Sequence, residues 1–153
     1  MQPARAAFIS AVLPSGDDYG FRLLGLFWTG ASPDQIQAAA PDLTAQQRAD
    51  GGWAQSPYMS SDAYETGLSL WALASAVPAS IDGAAYRRGV DYLIGTQEND
   101  GSWHVRSRAF GFQPYFESGF PHGHDQWISM AATAWSAMAL MPAAERVIAE
   151  VAH

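Results

Sequence analysis

Between Ser107 and Trp127 the chain places two histidines, a glutamate and an aspartate among six aromatic residues. Three kinds of chemistry fit that mixture. His122-Gly123-His124-Asp125 can offer two imidazoles and a carboxylate to a divalent metal, with His122 and His124 as ligands and Glu117 close in sequence. Such a set leaves an open position where a metal activates water. No other cofactor is expected. Without a metal, Asp125, Glu117 and His124 are the candidates for proton transfer, because desolvation among aromatic rings raises a carboxyl pKa. The third use is binding. Phe110, Phe112, Tyr115, Phe116, Phe120 and Trp127 can wall a pocket for an apolar molecule, since concave aromatic surfaces with few polar groups are the usual small-ligand sites. Aromatic burial needs no ligand, so the same stretch also reads as a plug that fills the interior.

Neighbouring residues carry weaker signals. Arg106 and Arg108 can pair with acids near the loop or bind an anionic group such as a diphosphate. Asp125 has a rival task as the N-cap of the helix that follows. His104 comes directly after a tryptophan and reads as a surface residue. Asp17 and Asp18 read as a solvated first helical turn, where acids are favoured. Asp62 and Glu65 have the spacing of a capping box, with Glu65 as its far half.

The elements that must position these residues are helical. Periodic apolar residues predict helices over residues 2–13, 17–28, 33–48, 62–78, 83–96, 126–141 and 145–152, with no credible strand. Ser32-Pro33 is a start signal, Ser at the N-cap and Pro in the first turn. Pro41 is expected to kink or break its helix. Asp82 and Asp125 are expected to cap the helices that follow them.

Two of these helices end in the same way. Gln47-Arg48-Ala49-Asp50-Gly51-Gly52-Trp53 and Gln97-Glu98-Asn99-Asp100-Gly101-Ser102-Trp103 share Gln, Asp, Gly and Trp at one spacing, 50 residues apart. After them the offset grows: Thr66 to Leu73 aligns with Thr133 to Leu140 at 67. The second copy therefore carries about seventeen extra residues, which repeat proteins place in loops. This puts repeat units at about 33–80 and 82–141 in one domain of 1–153, with an inserted aromatic loop at 107–125. Gln47, Gly51, Trp53, Gln97, Asp100, Gly101 and Trp103 read as structural. The glycines supply the turn, the Asp side chains hydrogen-bond the local backbone, and Trp covers the turn and can stack on the Gln amide.

Composition narrows the partners. The net charge is −7 and the eight basic residues form no stripe, which argues against nucleic acid. Charged residues make up only 15% against 48% hydrophobic, so the helices are covered by each other or by something else. No cysteine is present, which excludes disulfides and thiolate metal sites. No apolar run reaches the ~20 residues of a membrane span, which leaves peripheral contact as the membrane role open to the chain.

The second repeat extends backwards as Arg88-Gly89, Tyr92-Leu93, Gln97, Gly101, Trp103. This resembles the QW repeat of the squalene-hopene and oxidosqualene cyclases, whose fold is shared with the protein prenyltransferase β subunits. The first copy is a partial match, with Ala38, Ala39 and Asp42 in place of the Arg, Gly and aromatic. The resemblance implies an all-α, α/α-toroid fold, here about three hairpins or half a toroid, completed by other domains or a second copy. It implies an apolar polyisoprenoid ligand, with cation–π stabilisation by aromatic rings if cyclisation occurs. The Asp-rich acid motif of those cyclases has no match here, and the Cys ligand of the prenyltransferase zinc is absent. A non-catalytic helical-repeat module is therefore the alternative, and a metal-dependent site at the His-Gly-His-Asp loop the third.

Overall fold

A computed structural model describes residues 2–10, 16–108 and 114–151. Among them are six α-helices: α1 (Gln2–Ser10), α2 (Gly16–Trp28), α3 (Pro33–Thr44), α4 (Ala63–Ala76), α5 (Ala84–Thr96) and α6 (Gln126–Val151). Two short 3-10 segments, Pro78–Asp82 and Gly123–Asp125, precede α5 and α6. They pair as three hairpins, with α2, α4 and α6 side by side and α4 in the middle. The core follows this line, through Leu23, Leu24, Leu43, Leu68, Leu70, Leu73, Tyr86 and Leu93.

The local start signals act as expected where their partners are local. Ser32 Oγ accepts from the Gln35 N–H, and Gln35 Oε1 accepts from the Ser32 N–H, a complete capping box before Pro33. Asp62 accepts from the Glu65 N–H at 2.9 Å and opens α4. Pro41 sits within α3 without ending it, and the helix stops at Thr44, short of Arg48. Arg48 instead gathers the carbonyls of Ser56, Pro57 and Met59 and shapes the turn before α4.

Two expected caps are corrected. Asp82 lies inside the 3-10 segment, and Gly83 stands at the α5 N-cap with no side-chain bond. The Asp82 carboxylate is drawn away by an ion pair with Arg146 on α6. Asp125 accepts from the Ser107 N–H and from His104 Nε2, each at 2.8 Å, so it ties the loop down instead. The expected break after Met141 is also absent. Helix α6 runs through Pro142 to Val151.

Both Gln…Trp turns have one construction. Gly51 and Gly101 hold φ of +88° and +85°, the left-handed region that glycine enters at least cost. Gln47 and Gln97 donate to the Gly51 and Gly101 carbonyls at 2.8 and 2.9 Å. The indole N–H groups of Trp53 and Trp103 donate to the Leu43 and Leu93 carbonyls, 2.9 and 2.8 Å away. Their backbone N–H groups donate to Thr66 and Thr133, one on each inner helix. Asp50 and Asp100 accept from the backbone N–H two residues on. Gln47 also donates to the Ala85 carbonyl at 2.8 Å, which clamps the first turn to the next hairpin.

Candidate functional site

The inner helices expose one aromatic face. From Asp62 to Ala74 only Tyr64 and Trp71 are half-exposed, and they lie seven residues apart on one side of α4. The opposite side carries Leu70, which packs against Gly89 of the outer helix α5. On α2 the same face presents Phe21 and Trp28, 40% and 59% exposed. On α6 it presents Ile128, Ala131, Trp135 and Met138, all half-exposed. The Phe21 ring meets Trp135 edge-on, centroids 6.4 Å apart, so α2 and α6 touch in front of α4. The result is an apolar, largely aromatic wall of Phe21, Trp28, Tyr64, Trp71, Ile128 and Trp135. In the sequence, Tyr64 stands with Glu65 at the start of a helix where a cavity wall could be; the other wall residues carried no site reading. The wall's signal was three pairs at a spacing of seven: 21 and 28, 64 and 71, 128 and 135.

Behind Tyr64 lies an acid. Glu65 is fully buried on the side of α4 that faces α2. Burial, then a hydrogen bond to Asp17, pushes its pKa up to about 10. Ser69 Oγ donates to Glu65 Oε1 at 3.2 Å. Glu65 Oε2 and Asp17 Oδ1 are buried without another partner, and one proton held between the two carboxyls satisfies both. Burial first, and then the nearby Asp17, also raises the Tyr64 pKa. Glu65 is therefore not the far half of a capping box. Its carboxyl turns into the core and keeps its proton at neutral pH.

The acids chosen from sequence behave in the opposite way. A hydrogen bond from His104 holds the Asp125 carboxyl below its ordinary range, helped by the Ser107 N–H. Glu117 is held low by Tyr115, which donates to it, and by the Gly119 N–H. Neither is desolvated among rings as expected, so both are stabilised as carboxylates.

The inserted loop is a network fastened to the second turn. The imidazoles of His104 and His122 stack at 4.7 Å, 11° from parallel. His122 Nε2 lies 2.7 Å from Ser102 Oγ, which also donates to Asp100 at 2.6 Å. His124 turns elsewhere, against the Tyr115 ring at 4.3 Å. The two histidines thus take different partners, and among the described residues no three metal-ligating side chains converge. Phe116 stacks on Trp127, centroids 6.2 Å apart, and the two are 68% and 53% exposed. Phe120 is half-buried beside His122. With Tyr115 and Phe116 so open, this part of the loop does not act as a plug. Phe110 and Phe112 lie outside the described residues. Gln126, fully buried, is the anchor the sequence analysis missed: it accepts from Ser118 and donates to the Phe116 carbonyl at 3.0 Å.

Comparison with known proteins bears on this wall. The family model of the squalene-hopene cyclase C-terminal domain matches residues 23–124, two thirds of the chain. The chain belongs to this family. No curated protein and no solved structure matches it. The fold of this cyclase-family domain is the α/α-toroid type, represented here by three hairpins. The match takes in both Gln…Trp turns, Trp28, Tyr64 and Trp71 of the aromatic wall and the loop as far as His124. No helix of the described residues is long and apolar enough to cross a membrane.

Proposed function

We propose that the aromatic face of α2, α4 and α6 binds an apolar polyisoprenoid. The observation that carries this reading is the wall itself: aromatic side chains from three helices on one face, with no charged residue from Thr66 to Ser75 or from Ile128 to Met138, and with Glu65 fully buried. A contiguous face of exposed and half-exposed aromatic side chains suits an apolar ligand. Membership of a cyclase family supports a hydrocarbon ligand. Binding, not proton transfer, is the role assigned to the wall, because the Glu65 carboxyl is shut away behind Tyr64.

Titration with squalene, followed by tryptophan fluorescence, tests the reading. Trp135→Ala and Trp71→Ala should each weaken binding at least about tenfold, since each removes an aromatic surface worth ~1.5–3 kcal/mol. Phe116→Ala should change little. Affinity unmoved by both wall variants would refute the assignment.

A second reading concerns assembly. Trp127, Met130, Ala134, Ala137 and Met141 form an exposed apolar stripe on α6, at the spacing of one helical face. Such a stripe suits packing against a further helical unit or a second copy of the chain, whether or not the wall holds a ligand.

A further inference from the structure

We propose that a hollow at the rim of the wall holds the oxyanion head of the bound molecule, so that the ligand is an anionic amphiphile of the prenyl phosphate or diphosphate type. This rests on the wall as the seat of the apolar tail. The hollow, about 190 Å³, is lined by Gln55, Arg106, Ser107, Arg108 and Ile128. It therefore lies between the turn before α4 and the start of the inserted loop, at the N-terminal end of α6.

The arginines single it out. All eight basic residues of this acidic chain are arginines. Arg5, Arg22, Arg48, Arg87, Arg88, Arg108 and Arg146 each hold a carbonyl, an amide oxygen or a carboxylate. Arg106 alone has no hydrogen-bond or ion-pair partner among the described residues, and it opens onto the hollow. Its backbone is not loose. Val105, beside it, is buried and exchanges two hydrogen bonds with Ser129 of α6, at 3.0 and 3.2 Å. Arg108 makes one ion pair, to Asp62 at 3.0 Å, and its remaining N–H groups have no partner among the described residues.

The neighbouring charges are already committed. Asp62 is shared by Arg108 and Gln55 Nε2, 3.0 and 3.2 Å away. Asp125 is hydrogen-bonded by His104 and the Ser107 N–H, and the Arg106 charge acts on it only through space. This leaves the Arg106 guanidinium, which lines the hollow, as a planar fork of five donors without a hydrogen-bond partner among the described residues, a fork that phosphate and carboxylate oxygens match in pairs. The start of α6 adds positive potential at the same end.

Ile128 joins the two halves of the site. It lines the hollow, and it shares the α6 face of Trp135, two turns or ~10 Å further along the helix. A head at Arg106 and a tail running down the wall therefore belong to one ligand.

The test compares a C15 prenyl diphosphate, the C15 alcohol with the same tail, and inorganic diphosphate, by calorimetry on the full chain. The diphosphate should bind at least about tenfold more tightly than the alcohol, and rising salt should erode the difference. Arg106→Gln should remove most of that preference and leave alcohol binding unchanged; Arg106→Lys should restore part of it. Equal binding of diphosphate and alcohol by the wild type overturns the head site but leaves the wall. Inorganic diphosphate bound through Arg106, with neither prenyl compound bound more tightly, would mark a free-anion site and overturn the wall. A preference unmoved by Arg106→Gln also overturns the proposal.

Discussion

Glu65 carries the sharpest consequence at the scale of one residue. Its carboxyl is ordinary in the unfolded chain, near pH 4.3, and is raised to about 10 in the folded one. Between those values the folded chain holds a proton that the unfolded chain releases, so stability is fullest below the lower value and falls as pH climbs toward the upper. Thermal unfolding at pH 5, 7 and 9 should show a declining melting temperature. Glu65→Gln should flatten the decline, because the amide can donate to Asp17 as the acid does and has no proton to lose. A wild-type melting temperature that holds or rises from pH 5 to 9 would contradict the buried neutral acid. The spacing Asp62 to Glu65 was visible in sequence, but it is shared by an exposed capping box and an acid turned inward. Only the packing of α2, which brings Asp17 against the same face of α4, separates them. Asp125 was misread for a similar reason, since His104 and Ser107 reach it from residues well before it in the chain.

At the scale of elements, what could be read were the features whose partners are local. The two Gln…Trp turns, the Ser32 capping box and the Asp62 cap are all closed within a few residues or by a repeated contact. The aromatic wall was not read, because each helix contributes only two or three of its residues and no single segment announces a face. The Asp82 cap was lost to Arg146, on a helix far away in sequence. The repeated turn also gives a paired prediction. Gly51 and Gly101 have nearly equal φ, but a Cβ on Gly51 would lie 2.6 Å from the Arg88 carbonyl oxygen, whereas at Gly101 the nearest atom is 4.0 Å away. Gly101→Ala should therefore cost only the left-handed strain, about 1 kcal/mol. Gly51→Ala adds a backbone clash and should cost clearly more, above about 2 kcal/mol. Denaturant unfolding of both variants measures the difference, and equal losses would mean that the first turn is not clamped to α5.

For the molecule as a whole, the repeat suggests a use for the apolar stripe on α6. At the offset of 67, Met130, Ala134, Ala137 and Met141 correspond to Ala63, Gly67, Leu70 and Ala74 of α4. Those four are buried: Gly67 lies against Ser136 and Trp135 of α6, Ser136 Oγ donates to the Ala63 carbonyl, and Leu70 packs against Gly89 of α5. The α6 stripe is thus the same seat one unit further on, with Met130 and Met141 left 36% and 52% exposed. An inner helix of the same kind fits it, and α2 of a second copy is one such helix. Two copies related by a two-fold axis would then set α6 of each against α2 of the other and enclose the aromatic wall. Sedimentation of the wild-type chain should show reversible self-association in the micromolar range, and Ala134→Glu on the stripe should abolish it without lowering helix content. Squalene binding should weaken in the same variant, since the wall would then be open on one side. A wild-type chain that stays monomeric at all concentrations, with ligand affinity unaffected by Ala134→Glu, would show that three hairpins suffice for the wall and that the stripe serves a different neighbour.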